Sequence, residues 1–122
     1  MRKLDMSPTE PASANTAREV CFHGCIVCDI LSYAIAHAEK GQIWITHHTH
    51  PNIIAVAVLK ELAAVIVAGG RKPDPETIRR AEEEGIPLYV TSCQAYDLAK
   101  WIASHDKEAD DMTTAAGVSE NE

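Results

Sequence analysis

The chain has 122 residues, 46% of them hydrophobic, and 18 acidic against 11 basic side chains give a formal charge of -7. That is the size and apolar content of one globular domain able to bury a core without disulfide staples. The acidic balance, with basic residues dispersed, argues against a surface that neutralises nucleic-acid phosphates, and no apolar run approaches the roughly 20 residues that span a bilayer.

The opening MRKLDMSPTEPASANTA is polar and proline-containing, with no apolar stretch like that of a signal peptide. Residues 1–17 are therefore expected to be a disordered leader of a cytoplasmic protein. Residues 106–122, acidic and aperiodic, are expected to be a disordered tail. Residues 18–105 are left as the folded domain.

Within it, Val20 to His23 predicts a first strand. Apolar residues at Ile26, Ile30, Ala34 and Ala38 predict a helix from Ile26 to Lys40, stopped by Gly41. QIWIT at 42–46 is a second strand. NIIAVAVLKEL runs into AAVIVAGG without a turn, and two strands cannot reverse or cross over with no connecting residues. The first run is therefore predicted as a helix entered at Pro51 and buried on most sides, and Ala64 to Ala68 as the third strand. KPDPETIRRAEEEGIP reads as a helix with Asp74 as N-cap, Pro75 at its first position and Gly85 as terminator. PLYVTS is a fourth strand, after which Thr91 and Gln94 are spaced as a capping box for a helix running to about Ser104. The alternation predicts an α/β fold, a single compact layered domain with a mostly parallel four-stranded sheet and helices packed on it.

In such sheets ligands bind beyond the carboxyl ends of the strands. The predicted junctions there are His23, Gly24 and Cys25; then Thr46 to Asn52; then Gly69, Gly70 and Arg71; then Thr91, Ser92 and Cys93. The candidate ligand-binding rim is His47, His48, His50, Asn52, Gly69, Gly70, Arg71, Thr91 and Ser92. The GGR stretch is a possible anion cradle, with Arg71 as a fork for phosphate or carboxylate. It is no P-loop, since the G-x-x-x-x-G-K-[ST] pattern is missing, so phosphoryl transfer is not expected.

CFHGCIVC at 21–28 holds three of the four cysteines. The spacing of Cys21, Cys25 and Cys28 matches that of iron-sulfur loops, and with nearby histidines a zinc site is possible on count alone. The competing reading is that these thiols are small core hydrophobes. Cys93, in the first turn of the last predicted helix, is a nucleophile candidate without a histidine base beside it in sequence.

Taken together, DILSYAIAHAEKGQIWIT, the pattern H-x-N-I-x-A-V-A-x-L in HPNIIAVAVL, GRKPDPETIRRAEEEGIP and T-x-x-x-A-Y in TSCQAY resemble the DRTGG-domain family, especially its small stand-alone bacterial members. The likeness covers roughly Gly24 to Ile102. It implies a layered α/β fold related to the N-terminal domain of HPr kinase, and a sensory or assembly role beside an enzyme. For stand-alone members it implies association with iron-only hydrogenase components. It brings no catalytic residues. The letters DRTGG do not occur here, and the corresponding loop is THHTHPN.

The expected function is a non-enzymatic regulatory module that binds a small anionic ligand or a partner enzyme, possessing no nucleic-acid or membrane partner. The alternative is an accessory protein binding a metal or iron-sulfur cluster through Cys21, Cys25 and Cys28. Homo-oligomerisation is expected from the apolar helix Ile53 to Leu59 and the short first strand.

Overall fold

The computed structural model describes residues 2–7, 9–12 and 16–106. In chain order the elements are β1 (Arg2–Asp5), β2 (Glu10–Pro11), β3 (Glu19–Phe22), β4 (Cys25–Val27), α1 (Leu31–His37), β5 (Ile43–Thr46), α2 (Asn52–Lys60), β6 (Ala64–Val67), α3 (Pro75–Glu84), β7 (Leu88–Val90) and α4 (Ala95–Ser104). Strands β4 to β7 are parallel neighbours in sequence order, and β2 adds to β7 as an antiparallel edge, giving a five-stranded sheet ordered β2-β7-β6-β5-β4. β1 and β3 pair antiparallel as a separate ribbon.

Each crossover from β4 to β7 steps one strand in the same direction, so right-handed connections place α1, α2 and α3 on one face. The pleat sorts the core accordingly. Trp44, Val65, Val67 and Leu88 pack with Ala34, Ile53, Ile54, Ala57 and Ala81 on that face. Ile43, Ile45, Ala64, Ile66 and Tyr89 pack on the other with Leu98 and Ile102 of α4 and with Leu4, Val20 and Phe22 of the ribbon. Covering on both faces explains why β5 and β6 are apolar at nearly every position rather than alternating.

The helix ends follow their sequence signals in part. Pro75 opens α3 and Gly85 closes it with φ +70. Asp74 is the N-cap by position, yet its side chain makes no capping bond. The expected Thr91–Gln94 box is replaced by a tighter turn. The N-cap of α4 is Gln94, and the Thr91 hydroxyl instead accepts the Cys93 N–H at 3.1 Å.

Three expectations are corrected. The first parallel strand is Cys25–Val27, not Val20 to His23, and α1 begins only at Leu31. Cys25, Ile26 and Val27 align beside Ile43, Trp44 and Ile45, and that sheet pairing outweighs the fourfold apolar repeat. The leader is no loose segment in its described residues: it carries β1 and β2, and Leu4 and Met6 are buried. Asp106, expected to open a tail, is buried, and its carboxylate accepts the Gly24 N–H at 3.1 Å. The rest of the expected tail lies outside the described residues.

Candidate functional site

Parallel strands β4, β5, β6 and β7 bring their carboxyl ends to one edge, and the loops that follow form a rim there. One open depression on it, of about 330 Å³, is lined by Asp29, His47, His48, Thr49, His50 and Arg71. A second, of about 270 Å³, is lined by Glu10, Gly70, Arg71, Lys72, Val90, Thr91 and Ser92. Arg71 belongs to both.

The junctions after β5, β6 and β7 converge as expected. The one before them does not. Because the strand they follow, β3, belongs to the ribbon, and Gly24 and Cys25 stand at the amino end of β4, they lie at the opposite end of the parallel sheet, where Gly24 bonds Asp106. Asp29, two residues beyond β4, takes the place on the rim expected for His23, Gly24 and Cys25.

Asp29 organises the histidine loop. Its Oδ1 accepts the His47 N–H at 2.6 Å and the Thr46 hydroxyl at 3.0 Å, and its Oδ2 is 3.0 Å from His47 Nδ1. Partial burial raises the Asp29 pKa, but these hydrogen bonds and the attraction of His47 outweigh it and hold the carboxyl below its usual range. The Thr46 hydroxyl in turn accepts the His48 N–H at 3.1 Å, and His50 Nδ1 accepts the N–H of Asn52 at 3.0 Å. The loop is thus held by its own side chains.

The anion cradle expected of Gly69 and Gly70 is not available in that form. Their N–H groups donate to Cys93 O at 2.8 Å and Thr91 O at 2.9 Å, tying the β6 loop to the β7 loop. Gly69 serves otherwise: a Cβ there would stand 3.1 Å from Cδ2 of His47, so any other residue makes the ring give way by a few tenths of an ångström. Asn52 opens α2 and lines neither depression. The rim residues absent from the sequence reading are Asp29, Lys72, Glu10 and Val90. Lys72 directly follows the motif already singled out, and Asp29 would have followed from reading Cys25–Val27 as a strand.

The cysteine ligand set is not assembled. Cys25 packs against the core beside α4 and Cys28 against the core beside α1 and α2, on opposite faces of the sheet, while Cys21 is exposed on the β1–β3 ribbon. Among the described residues no three His, Cys, Asp or Glu side chains are grouped to hold a metal ion. Burial, reinforced by the charge of Asp106, pushes the Cys25 thiol up to about 12, and burial also raises Cys28. Cys93 precedes α4 and is exposed. A larger hollow of about 500 Å³ lies against the ribbon, where Lys3 and Arg18 alternate with Asp5 and Glu19. None of its lining residues belongs to either rim depression.

Fold and rim together define an α/β domain with a polar edge, and among the described residues no helix is long and apolar enough to cross a membrane. The chain belongs to the DRTGG domain family, whose model matches residues 12–105, in agreement with the resemblance read from its motifs. Among solved structures, it is similar to the CBS and DRTGG domains of the regulatory region of Clostridium perfringens pyrophosphatase, complexed with its activator, diadenosine tetraphosphate. The TM-score is 0.62 at 20% identity, over 80% of this chain and 42% of that one. At that identity the likeness is one of fold, and the chain spans less than half of the solved region. Among curated proteins none matches the chain.

Proposed function

We propose that the chain is a non-enzymatic regulatory module of the cytoplasm that binds a small anionic ligand on its rim and thereby shifts a conformational or assembly equilibrium of a partner enzyme. The observation that carries this reading is Arg71, shared by two depressions at the strand carboxyl ends, with Lys72 and Ser92 beside it in one and His47, His48 and His50 in the other. Fixed cations such as Arg71 and Lys72 at that edge favour anions. Family membership supports the regulatory half of the reading, since the similar solved region is itself regulatory and was crystallised with a nucleotide activator. Nucleotide recognition there is a property of a region that also contains CBS domains.

Such a module acts only through differential affinity: the ligand must bind one state of the assembly better than the other. Family resemblance alone suggests the partner class, a redox enzyme such as an iron-only hydrogenase. A homo-oligomer is part of the proposal. Most of the α2 apolar face is spent on the core, but Leu59 beside it and Ile30 and Tyr33 near β4 remain exposed, and β4 is an edge strand.

Calorimetric titration of AMP, ADP, ATP and diadenosine tetraphosphate into the wild type and Arg71→Ala tests the ligand claim. Removing a charge-assisted hydrogen bond from the rim weakens binding roughly 10- to 100-fold. Equal heats for both proteins remove Arg71 from the site.

A further inference from the structure

The two halves of the rim differ in hydrogen-bonding character. On one side of Arg71 lie Lys72 and Ser92. Arginine and lysine only donate, and a serine hydroxyl can donate as well, so this half suits a phosphate.

The other half accepts. An ionised carboxylate offers about four lone-pair directions, and three of those of Asp29 are taken by the His47 N–H, the Thr46 hydroxyl and His47 Nδ1. One remains, on Oδ2. A carboxylate cannot donate, so His47 Nδ1 carries the proton in that contact, and in the neutral ring Nε2 is left as an acceptor. Gly69 beneath the ring and Asp29 beside it hold His47 in this orientation. With that ring neutral, a bare anion placed there meets a negative charge and a lone pair. A ligand hydroxyl finds two acceptors.

We propose that the rim selects a phosphate ester of a sugar, free or as part of a nucleotide. Its phosphate lies on Arg71 and Lys72, and a sugar hydroxyl donates to Asp29 Oδ2 or His47 Nε2. This rests on the rim being an anion site and adds which anion it prefers. Glu10, which lines the same depression from edge strand β2, opposes an anion lodged against it.

The test is calorimetric titration of the full chain with inorganic phosphate, ribose 5-phosphate and AMP, repeated on Asp29→Asn and His47→Phe. The wild type is expected to bind both esters at least about tenfold more tightly than inorganic phosphate, the range of a hydrogen bond to a charged group. Either variant is expected to cut that preference to about twofold. Equal affinity for AMP and ribose 5-phosphate supports recognition of the sugar phosphate alone, whereas tighter AMP binding supports a nucleotide. Inorganic phosphate binding as well as the esters overturns the proposal and leaves the anion site standing, as does full preference in both variants. If no phosphate compound binds the wild type, the anion reading falls too. The two variants disturb different groups, Asn keeping one acceptor oxygen and Phe a ring over Gly69, so misfolding of one leaves the other to decide.

Discussion

Gly69 and Gly70 form an internal experiment on the rim. Their φ angles are +73 and +75, so alanine at either position meets the same left-handed backbone. That conformation costs an L-residue about 1–2 kcal/mol, partly offset by about 0.4–1 kcal/mol from the stiffer unfolded chain, for a net loss of about 1 kcal/mol. The surroundings differ. A Cβ at Gly70 meets nothing within 4 Å, whereas at Gly69 it stands 3.1 Å from His47 Cδ2. The His47 side chain is 36% exposed, so it can yield by the few tenths of an ångström required, which strains and at the limit breaks its hydrogen bond with Asp29. For a partly exposed pair that loss is about 0.5 kcal/mol. Gly69→Ala should therefore cost about 1.5 kcal/mol and Gly70→Ala about 1 kcal/mol in urea unfolding, with unchanged denaturant slope. In an Asp29→Asn background the excess at Gly69 should vanish, because the coupling it reports has been removed. Equal losses at both glycines in both backgrounds would show that the ring is not seated on Gly69. No loss at either would show that the left-handed turn is absent.

Met6→Ala should destabilise by about 2–5 kcal/mol if the leader packs as described, since Met6 is 1% exposed; urea unfolding reads it, and a change under about 0.5 kcal/mol would mean the leader is detached. Iodoacetamide at pH 8, followed by peptide mass spectrometry, should label Cys21 and Cys93 well before Cys25, whose thiol is held neutral by burial and by Asp106 up to about 12. The same shift predicts a fall in stability with rising pH. Between 9.0 and about 12 the unfolded thiol ionises while folded Cys25 keeps its proton, and burial of Tyr89, raised from 10.0 to about 12, adds to the loss. Urea midpoints measured from pH 8 to 11 should decline, and Cys25→Ala should reduce the part of the slope that begins near 9.0, leaving the share of Cys28. Light scattering after size exclusion should give more than one chain per particle, and a monomer would retire the oligomer proposal.

From Gln42 to Ser104 the order of elements was legible, because each has a signal that tertiary context did not override. The Pro75 and Gly85 pair marks α3, and the direct junction of NIIAVAVLKEL with AAVIVAGG forces a helix before β6. The N-terminal third was not. Cys25, Ile26 and Val27 form a three-residue strand, too short to show a period of two, and they overlap an apolar repeat that fits a helix. The strand exists because its backbone pairs with β5, a partner distant in the chain. Likewise Leu4 and Met6 lie in a polar stretch with no periodicity, and they are buried because β1 pairs with β3 and lays them on the core beside α4. Local composition does not report an apolar minority whose burial is arranged by strand pairing.

The rim illustrates what topology can carry when register fails. Its histidine, GGR and Thr-Ser junctions follow β5, β6 and β7, and any fold in which those three strands are parallel neighbours must bring them to one edge, whatever happens upstream. The position of Asp29 depends instead on where the first parallel strand ends. Read within a continuous helix from Ile26, Asp29 is a surface residue of the first turn. Once β4 is seen to end at Val27, it stands two residues past a strand beside β5, within reach of the loop that begins at Thr46. A three-residue strand thus decides whether the site is only a set of imidazoles and cations or one with a built acceptor facing them. The chemistry proposed for the ligand turns on that difference, which is why Asp29→Asn and His47→Phe are more telling than loss of His48 or His50, which take no part in the Asp29 contact.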